Sequence, residues 1–210
     1  MPDFDNPLEK WIGRFARDDF LFGEDPNDFV RREAHRIRRG GSVLCVADGE
    51  GRNSVWLAGQ GFDVTAFDFA PNAVAKARRF AIRRNVAVDH QVSDIYAWPW
   101  SAASYDALVA IFIQFMPPER REAVFAEMKA VVGPGGLFLL EGYRPEQVDN
   151  ATGGPPRRDH MYTRDWLETQ FSDWEILTLD DYDAVIREGD AHSGMSALID
   201  LVARKRAPAT

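Results

Sequence analysis

The stretch Val43-Leu-Cys-Val-Ala-Asp-Gly-Glu-Gly-Arg-Asn53 decides the fold. Its opening residues, Val43–Ala47, are apolar without alternation, the pattern of a strand covered on both faces. Gly49 and Gly51 then let the backbone turn tightly and approach a ligand with no Cβ in the way. A helical pattern follows. Strand, glycine turn and helix in that order put the turn at the carboxyl edge of a parallel sheet, where open α/β proteins bind their ligands.

Strands and helices alternate on both sides of this unit. Asn27 caps a predicted helix over Asp28–Arg39, closed by Gly40-Gly41. Ser42–Ala47 is the first strand and Asn53–Gln60 the helix after the glycine turn. Asp63–Asp68 is the second strand, Pro71 opens a helix over Asn72–Arg84, and Val86–Val92 is the third strand. Tyr105–Phe112 reads as the fourth strand, and Pro117-Pro118 starts a helix reaching Val132, broken by Gly133-Pro-Gly-Gly136. Gly136–Glu141 is the fifth strand; a Gly- and Pro-rich loop, Arg144–His160, precedes a helix over Thr163–Phe171. Trp174–Leu179 and Ser196–Ala203 are two last strands with no room for a helix between them. A parallel crossover needs a dozen or more residues, so the final strand runs antiparallel. The predicted fold class is α/β: a doubly wound, Rossmann-like, mixed seven-stranded sheet with its last strand antiparallel and helices on both faces.

Composition sets the outer limits. Of 210 residues, 45% are apolar and 28% charged, an ordinary globular balance. No apolar run approaches the ~18 residues of a membrane span, and Met1–Asp5 does not read as a secretory leader. The expectation is a soluble cytoplasmic protein that needs no membrane. One cysteine excludes an internal disulfide and a thiolate zinc pair, and the four histidines are scattered over separate elements, so no metal site is assigned. The net charge is −8. Met1–Asp28 holds eight acids against three bases, and Glu141–Asp200 fourteen against five. An acidic chain is a poor nucleic-acid binder and better suited to a cation. Its arginine clusters, such as Arg78-Arg79 and Arg83-Arg84, read as the solvated faces of amphipathic helices. The oligomeric state stays open.

Asp68 ends the second strand nineteen residues after Gly49, where an acid can accept both hydroxyls of a ribose. The turn therefore binds a nucleoside. A dinucleotide fingerprint wants glycine at position 54, where Ser54 stands, and Asp48 and Glu50 make the turn acidic. An acidic turn repels pyrophosphate and attracts a sulfonium with its α-amino group, which favours S-adenosylmethionine over NAD.

Val43–Asn53, the strand tip Phe67-Asp-Phe-Ala-Pro-Asn72, the pair Ser93-Asp94 and the turn Gly133-Pro-Gly-Gly136 resemble the class I S-adenosylmethionine-dependent methyltransferases. Within that family the chain is similar to the small bacterial branch of tellurite-resistance and thiopurine methyltransferases. The resemblance implies that Asp48, Gly49, Glu50, Gly51 and Asn53 surround the methionine end of the cofactor. It implies that Asp68 holds the ribose, that Phe69, Asp94 and Ile95 meet the adenine, and that Ile111 contributes backbone. Most relatives carry an acid at position 45 and glycine at position 47; here Cys45 and Ala47 stand there, and Asp48 is expected to take over the acid's task. Cys45, inside an apolar strand, reads as core.

Methyl transfer from a sulfonium is an in-line displacement, so the protein mainly positions and dries the reactants. Acceptor contacts are expected from loops at the same sheet edge: Phe20–Asn27 as a lid, Gln114-Phe115-Met116, Tyr143–His160 and the turn Arg187–Gly194. Trp11, Phe22 and Phe115 are candidates for an apolar wall, and Thr152-Gly-Gly-Pro-Pro156 resembles a substrate loop. His192 and Gln114 are the catalytic candidates, His192 because an imidazole titrates near neutrality. Asp106 and Tyr105 begin a strand at the opposite edge and read as structural. The domain reading is a single methyltransferase unit over 1–210: a lid and helix region at 1–41, a cofactor-binding core at 42–143, and an acceptor loop with the last two strands at 144–210. The expected activity is methyl transfer to a small molecule, a thiol, chalcogen oxyanion or similar. An NAD(P)-binding oxidoreductase and a non-catalytic S-adenosylmethionine-binding protein remain the alternatives.

Overall fold

In a computed structural model that describes residues 7–207, the chain forms one seven-stranded sheet. The reading of Met1–Asp5 lies outside the described residues. In chain order the elements are α1 (Pro7–Phe15), α2 (Asp28–Glu33), β1 (Ser42–Val46), α3 (Arg52–Gly59), β2 (Asp63–Asp68), α4 (Pro71–Arg84), β3 (Asp89–Val92) and β4 (Tyr105–Ile111). They continue with α5 (Pro118–Ala130), β5 (Val132–Tyr143), α6 (Gln147–Asn150), α7 (Arg164–Gln170), β6 (Glu175–Glu188) and β7 (His192–Arg204). Across the sheet the order is β3-β2-β1-β4-β5-β7-β6. The first five strands pair in parallel, and β7 runs antiparallel to both β5 and β6. This is the predicted fold class.

Both faces are covered, which is why β1 shows no alternation. Leu44 and Val46 join the face packed by α5 and α7, with Phe125, Met128, Phe138 and Leu167. Val43 and Cys45 join the opposite face, with Phe29 and Val30 of α2 and Leu57 of α3. Chain order reverses between β1 and β4, so the connections leaving these two strands diverge and open a crevice beyond their carboxyl ends.

Several boundaries differ from those expected. The helix after Asn27 is regular only to Glu33; Ala34–Arg36 tighten to 3₁₀ and Ile37 is extended. Spreading this backbone separates a run of arginines, sending Arg36 to Glu33 and Arg38 to Asp106. Strand β3 begins at Asp89 because Val86 and Val88 pack toward Val55 and Phe80 rather than pairing. The turn Gly133–Gly136 is absorbed into the start of β5 at a register shift, where a Cβ on Gly136 would lie 2.9 Å from the Asp106 carbonyl oxygen. The last hairpin is far longer than predicted. Acids Asp180, Asp181 and Asp183 make the edge strand look like loop, yet Arg164 and Arg144 pair with two of them along a continuous ladder.

Candidate active site

The glycine turn owes its shape to three left-handed backbone positions at alternate residues. Ala47 is left-handed (φ 49°), as are Gly49 (61°) and Gly51 (89°). Position 47 therefore favours glycine, and alanine there carries a modest strain. The Asp48 amide donates to Phe67 O at 3.0 Å, stitching the turn to the tip of β2. Gly51 is the residue before α3, and a Cβ on it would meet the Ala77 Cβ at 2.8 Å. Close helix packing thus falls on Gly51, not on position 54.

Ser54 has another task. Its hydroxyl is fully buried and donates to Asp48 Oδ2, which aims the carboxylate. Asp48 Oδ1 is sealed from solvent and has no hydrogen-bond partner among the described residues. Burial, with Asp68 nearby, pushes Asp48 up to about 7. Asp68 accepts from Gly49 N at 3.0 Å and Ala70 N at 2.9 Å; burial still pushes it up to about 6. Two carboxylates are thus held in a site that penalises their charge.

They line a cavity of about 240 Å³ over the carboxyl ends of β1, β2 and β4. Of the predicted cofactor residues, Asp48, Gly49, Asn53, Asp68, Phe69, Asp94, Ile95 and Ile111 line it. Glu50 and Gly51 do not. Glu50 turns into the protein, accepting from Leu21 N at 2.7 Å and from Lys76 Nζ at 2.6 Å, and so secures the segment before α2. Asp94 caps its own turn by accepting from Tyr96 N at 2.9 Å.

The other half of the cavity is aromatic. Trp11 and Phe15 of α1, Phe22, Phe112 and Phe115 line it with His192. Phe112 sits just past β4 with φ 54°, a conformation costly for a bulky residue, and its ring packs 4.6 Å from Tyr143 and 4.5 Å from His192. Of the two catalytic candidates, His192 reaches the cavity and Gln114 does not. Both ends of the Gln114 amide are used on the Tyr143 main chain, at 2.7 and 2.6 Å, so it splices two strand ends. Met116 is core, and the Thr152–Pro156 loop packs behind the site, Thr152 donating to Met195 O. Cys45 is buried beside the cavity, its thiol pushed up by burial and by Asp48. Asp106 accepts from Ser42 N and Arg38 at the far edge, and these bonds hold it at about 2.

Sequence reasoning missed a polar chain behind the aromatic wall. Arg52, the first residue of α3, donates to Glu188 Oε2 at 2.7 Å. The Asn27 amide donates to Glu188 at 2.9 Å and to Glu141 at 2.6 Å. Glu141 is registered opposite Asp200, which accepts from Arg32 at 2.6 Å. Burial and the acids around it push Glu141 well above the usual carboxylate range. Acids on an exposed-looking edge gave no sign of this burial; the one available signal was that Glu141 and Asp200 interrupt apolar strands. Among the described residues no group of three or more His, Cys, Asp or Glu is placed to hold a metal ion, and no helix is long and apolar enough to cross a membrane.

Residues 43–136 match a family described as a methyltransferase domain. Over 164 residues the chain is 29% identical to Hemagglutinin 1 of Eikenella corrodens, covering 76% of this chain and 52% of that one. It is 25% identical over 177 residues to the probable S-adenosyl-L-methionine-dependent methyltransferase TehB of Haemophilus influenzae, covering 81% and 60%. The TehB crystal structure matches with a TM-score of 0.71 at 24% identity, over 86% of this chain and 62% of that one. The N-methyltransferase NodS of Bradyrhizobium japonicum WM9, solved with S-adenosyl-L-homocysteine, gives 0.73 at 13% identity, over 97% and 100%. At such identities these structures speak to fold alone. The chain spans about half the length of the curated relatives it matches, 52% and 40% for the first two. The matched segment carries the glycine turn, Asp68 and Asp94 on a sheet of this order, and it is through this segment that the chain is similar to the methyltransferase domain family.

Proposed function

We propose that the chain binds S-adenosylmethionine in this crevice and transfers its methyl group to a small-molecule acceptor held by the aromatic half. The observation that carries the reading is that two carboxyl groups whose charge burial penalises, Asp48 and Asp68, line the same cavity. Such a pair fits a ligand that brings a positive charge and hydrogen-bond donors. When bound, S-adenosylmethionine supplies a methyl on a positively charged sulfur; an acceptor atom bonds the carbon with its own electron pair, and the pair of the broken bond stays on sulfur. Asp48 and Asn53 would hold the methionine end, Asp68 the ribose hydroxyls, and Asp94 with Ile95 the adenine edge. Phe22, Phe112 and Phe115 exclude water and orient the acceptor. The net charge of −8 favours a small acceptor over a nucleic acid.

An acceptor panel with labelled S-adenosylmethionine tests transfer, and calorimetry tests binding. Asp68→Ala should weaken S-adenosylmethionine by about 1–3 kcal/mol, the cost of leaving buried hydroxyls unpaired. Wild-type affinity in that variant, or binding of NAD in preference, would remove the assignment.

A further inference from the structure

The residue at the foot of the His192 ring has no task in the reading above. Glu188 closes β6 and His192 opens β7, and the two face each other in register across the turn at 189–191. Glu188 Oε2 lies 3.5 Å from His192 Nδ1. The carboxylate is fixed from two other elements: Arg52 of α3 donates to Oε2 at 2.7 Å, and Asn27 donates to Oε1 at 2.9 Å. The imidazole is held in turn by the rings of Phe22 and Phe112, at 4.6 and 4.5 Å. Of its two nitrogens only Nδ1 is sealed from solvent without a partner, and the ring lines the cavity.

We propose that Glu188 is a positioning residue that holds His192 as its Nδ1–H tautomer, so that the Nε2 lone pair faces the acceptor chamber. The ring's second nitrogen is what a carboxylate at this place controls, and a separation of 3.5 Å is the loose form that such bonds take before reactants are bound. Resting on the methyl-transfer reading, the consequence is a substrate class. The acceptor is a neutral protic group (thiol, phenol or amine) on an apolar body, rather than an anion that needs no base. As its heavy atom takes the methyl, its proton passes to Nε2 and then to water.

The surroundings keep this base ready. Burial holds the imidazole below its ordinary value; Glu188 raises it, while Arg52 from α3 and Arg14 from α1 lower it. Tyr143 from β5 also faces the ring, with its own hydroxyl pushed up by burial. Burial would raise Glu188 too, but His192 and Arg52 hold it at about 2. At neutral pH the pair is thus a carboxylate and a neutral ring.

Nitrogen-15 NMR of the full chain, with and without S-adenosylhomocysteine, reads the tautomer directly. His192 is assigned by its loss in His192→Gln. The expected spectrum has neutral His192 protonated on Nδ1, and in Glu188→Gln a shift toward the Nε2–H form with titration at lower pH. A wild-type ring protonated on Nε2 overturns the proposal whether or not the variant folds, and an unchanged tautomer and titration in a folded Glu188→Gln overturns it as well. At saturating S-adenosylmethionine, turnover of phenylmethanethiol should fall on the order of 10²-fold in Glu188→Gln. Turnover of pre-ionised 4-nitrothiophenolate should fall at least tenfold less. Equal losses overturn the role as base. Failure of the wild type to methylate either probe counts against the transfer reading for this class, whereas the NMR result bears on Glu188 alone.

Discussion

Asp48 and Asp68 spend most of their interaction with the protein on being held where charge is unwelcome. Burial raises both in the folded chain, Asp48 to about 7 and Asp68 to about 6. For an acid with a raised folded value, the stabilising difference is complete below the unfolded value, about 3.8. It is lost as pH climbs through the folded values. The free protein therefore loses on the order of a few kcal/mol from these two groups between pH 4 and 7.5. A ligand cation reverses the sign. Asp48→Asn should make the free protein more stable in thermal unfolding at pH 7.5 and should weaken S-adenosylmethionine in calorimetry. In the wild type, affinity for S-adenosylmethionine should fall from pH 8 to pH 5 more steeply than that for S-adenosylhomocysteine, which lacks the sulfonium. Equal slopes would detach Asp48 from the charge. At this scale the sequence was generous with what repeats in a pattern: a glycine turn after an apolar strand and an acid at the next strand tip. It could not announce that Ser54 aims Asp48, since a serine in a short helix looks like any other. Nor could it show that Glu50, adjacent to the ligand loop, faces away.

The strap between α1 and α2 is tied to the body of the protein by a buried ion pair, among other contacts. Lys76 of α4 donates to Glu50 and also to the carbonyl oxygens of Arg17 and Asp19, at 2.7 and 2.9 Å. Both side chains are nearly sealed, 9% and 3% exposed, so removing one leaves the other uncompensated. Lys76→Met should cost about 3–5 kcal/mol in urea unfolding, speed proteolysis within residues 16–25, and raise the KM of an acceptor more than that of S-adenosylmethionine. Lys76→Met with Glu50→Gln should recover much of the stability; no recovery would mean that the strap is held by packing instead. Helix α1 shows why such elements evade a reading of the sequence. Its apolar residues line a ligand cavity and pack on α4 and the strap rather than on the sheet. The β6–β7 hairpin evades it for the opposite reason, because acids on an edge strand imitate a loop.

For the whole molecule, topology was the most legible property. Alternating strands and helices dictate a parallel sheet, and the absence of a helix before the last strand dictates its reversal, whatever the side chains do. The acidity of Glu141–Asp200 was equally plain, but its placement was not. Part of it is inside: Asp200 is fully buried, Glu141 lies opposite, and Arg32 is the cation that reaches Asp200. Arg32→Leu should therefore lower the urea midpoint by more above pH 7 than at pH 5, where the two carboxyl groups share protons more easily. With Arg32 half exposed, the loss is about 1–3 kcal/mol, less than for a sealed pair. A shift independent of pH would mean that the arginine acts through packing alone.

The turn at 189–191 has one more consequence. Asp190 donates its amide to Leu21 O at 3.1 Å, and any side chain on Gly189 would begin 2.3 Å from that same oxygen. The strap and the hairpin tip are thus buttoned together with no room for a side chain between them. A residue other than glycine at 189 would have to push the strap away, and with it Phe22 on the cavity wall.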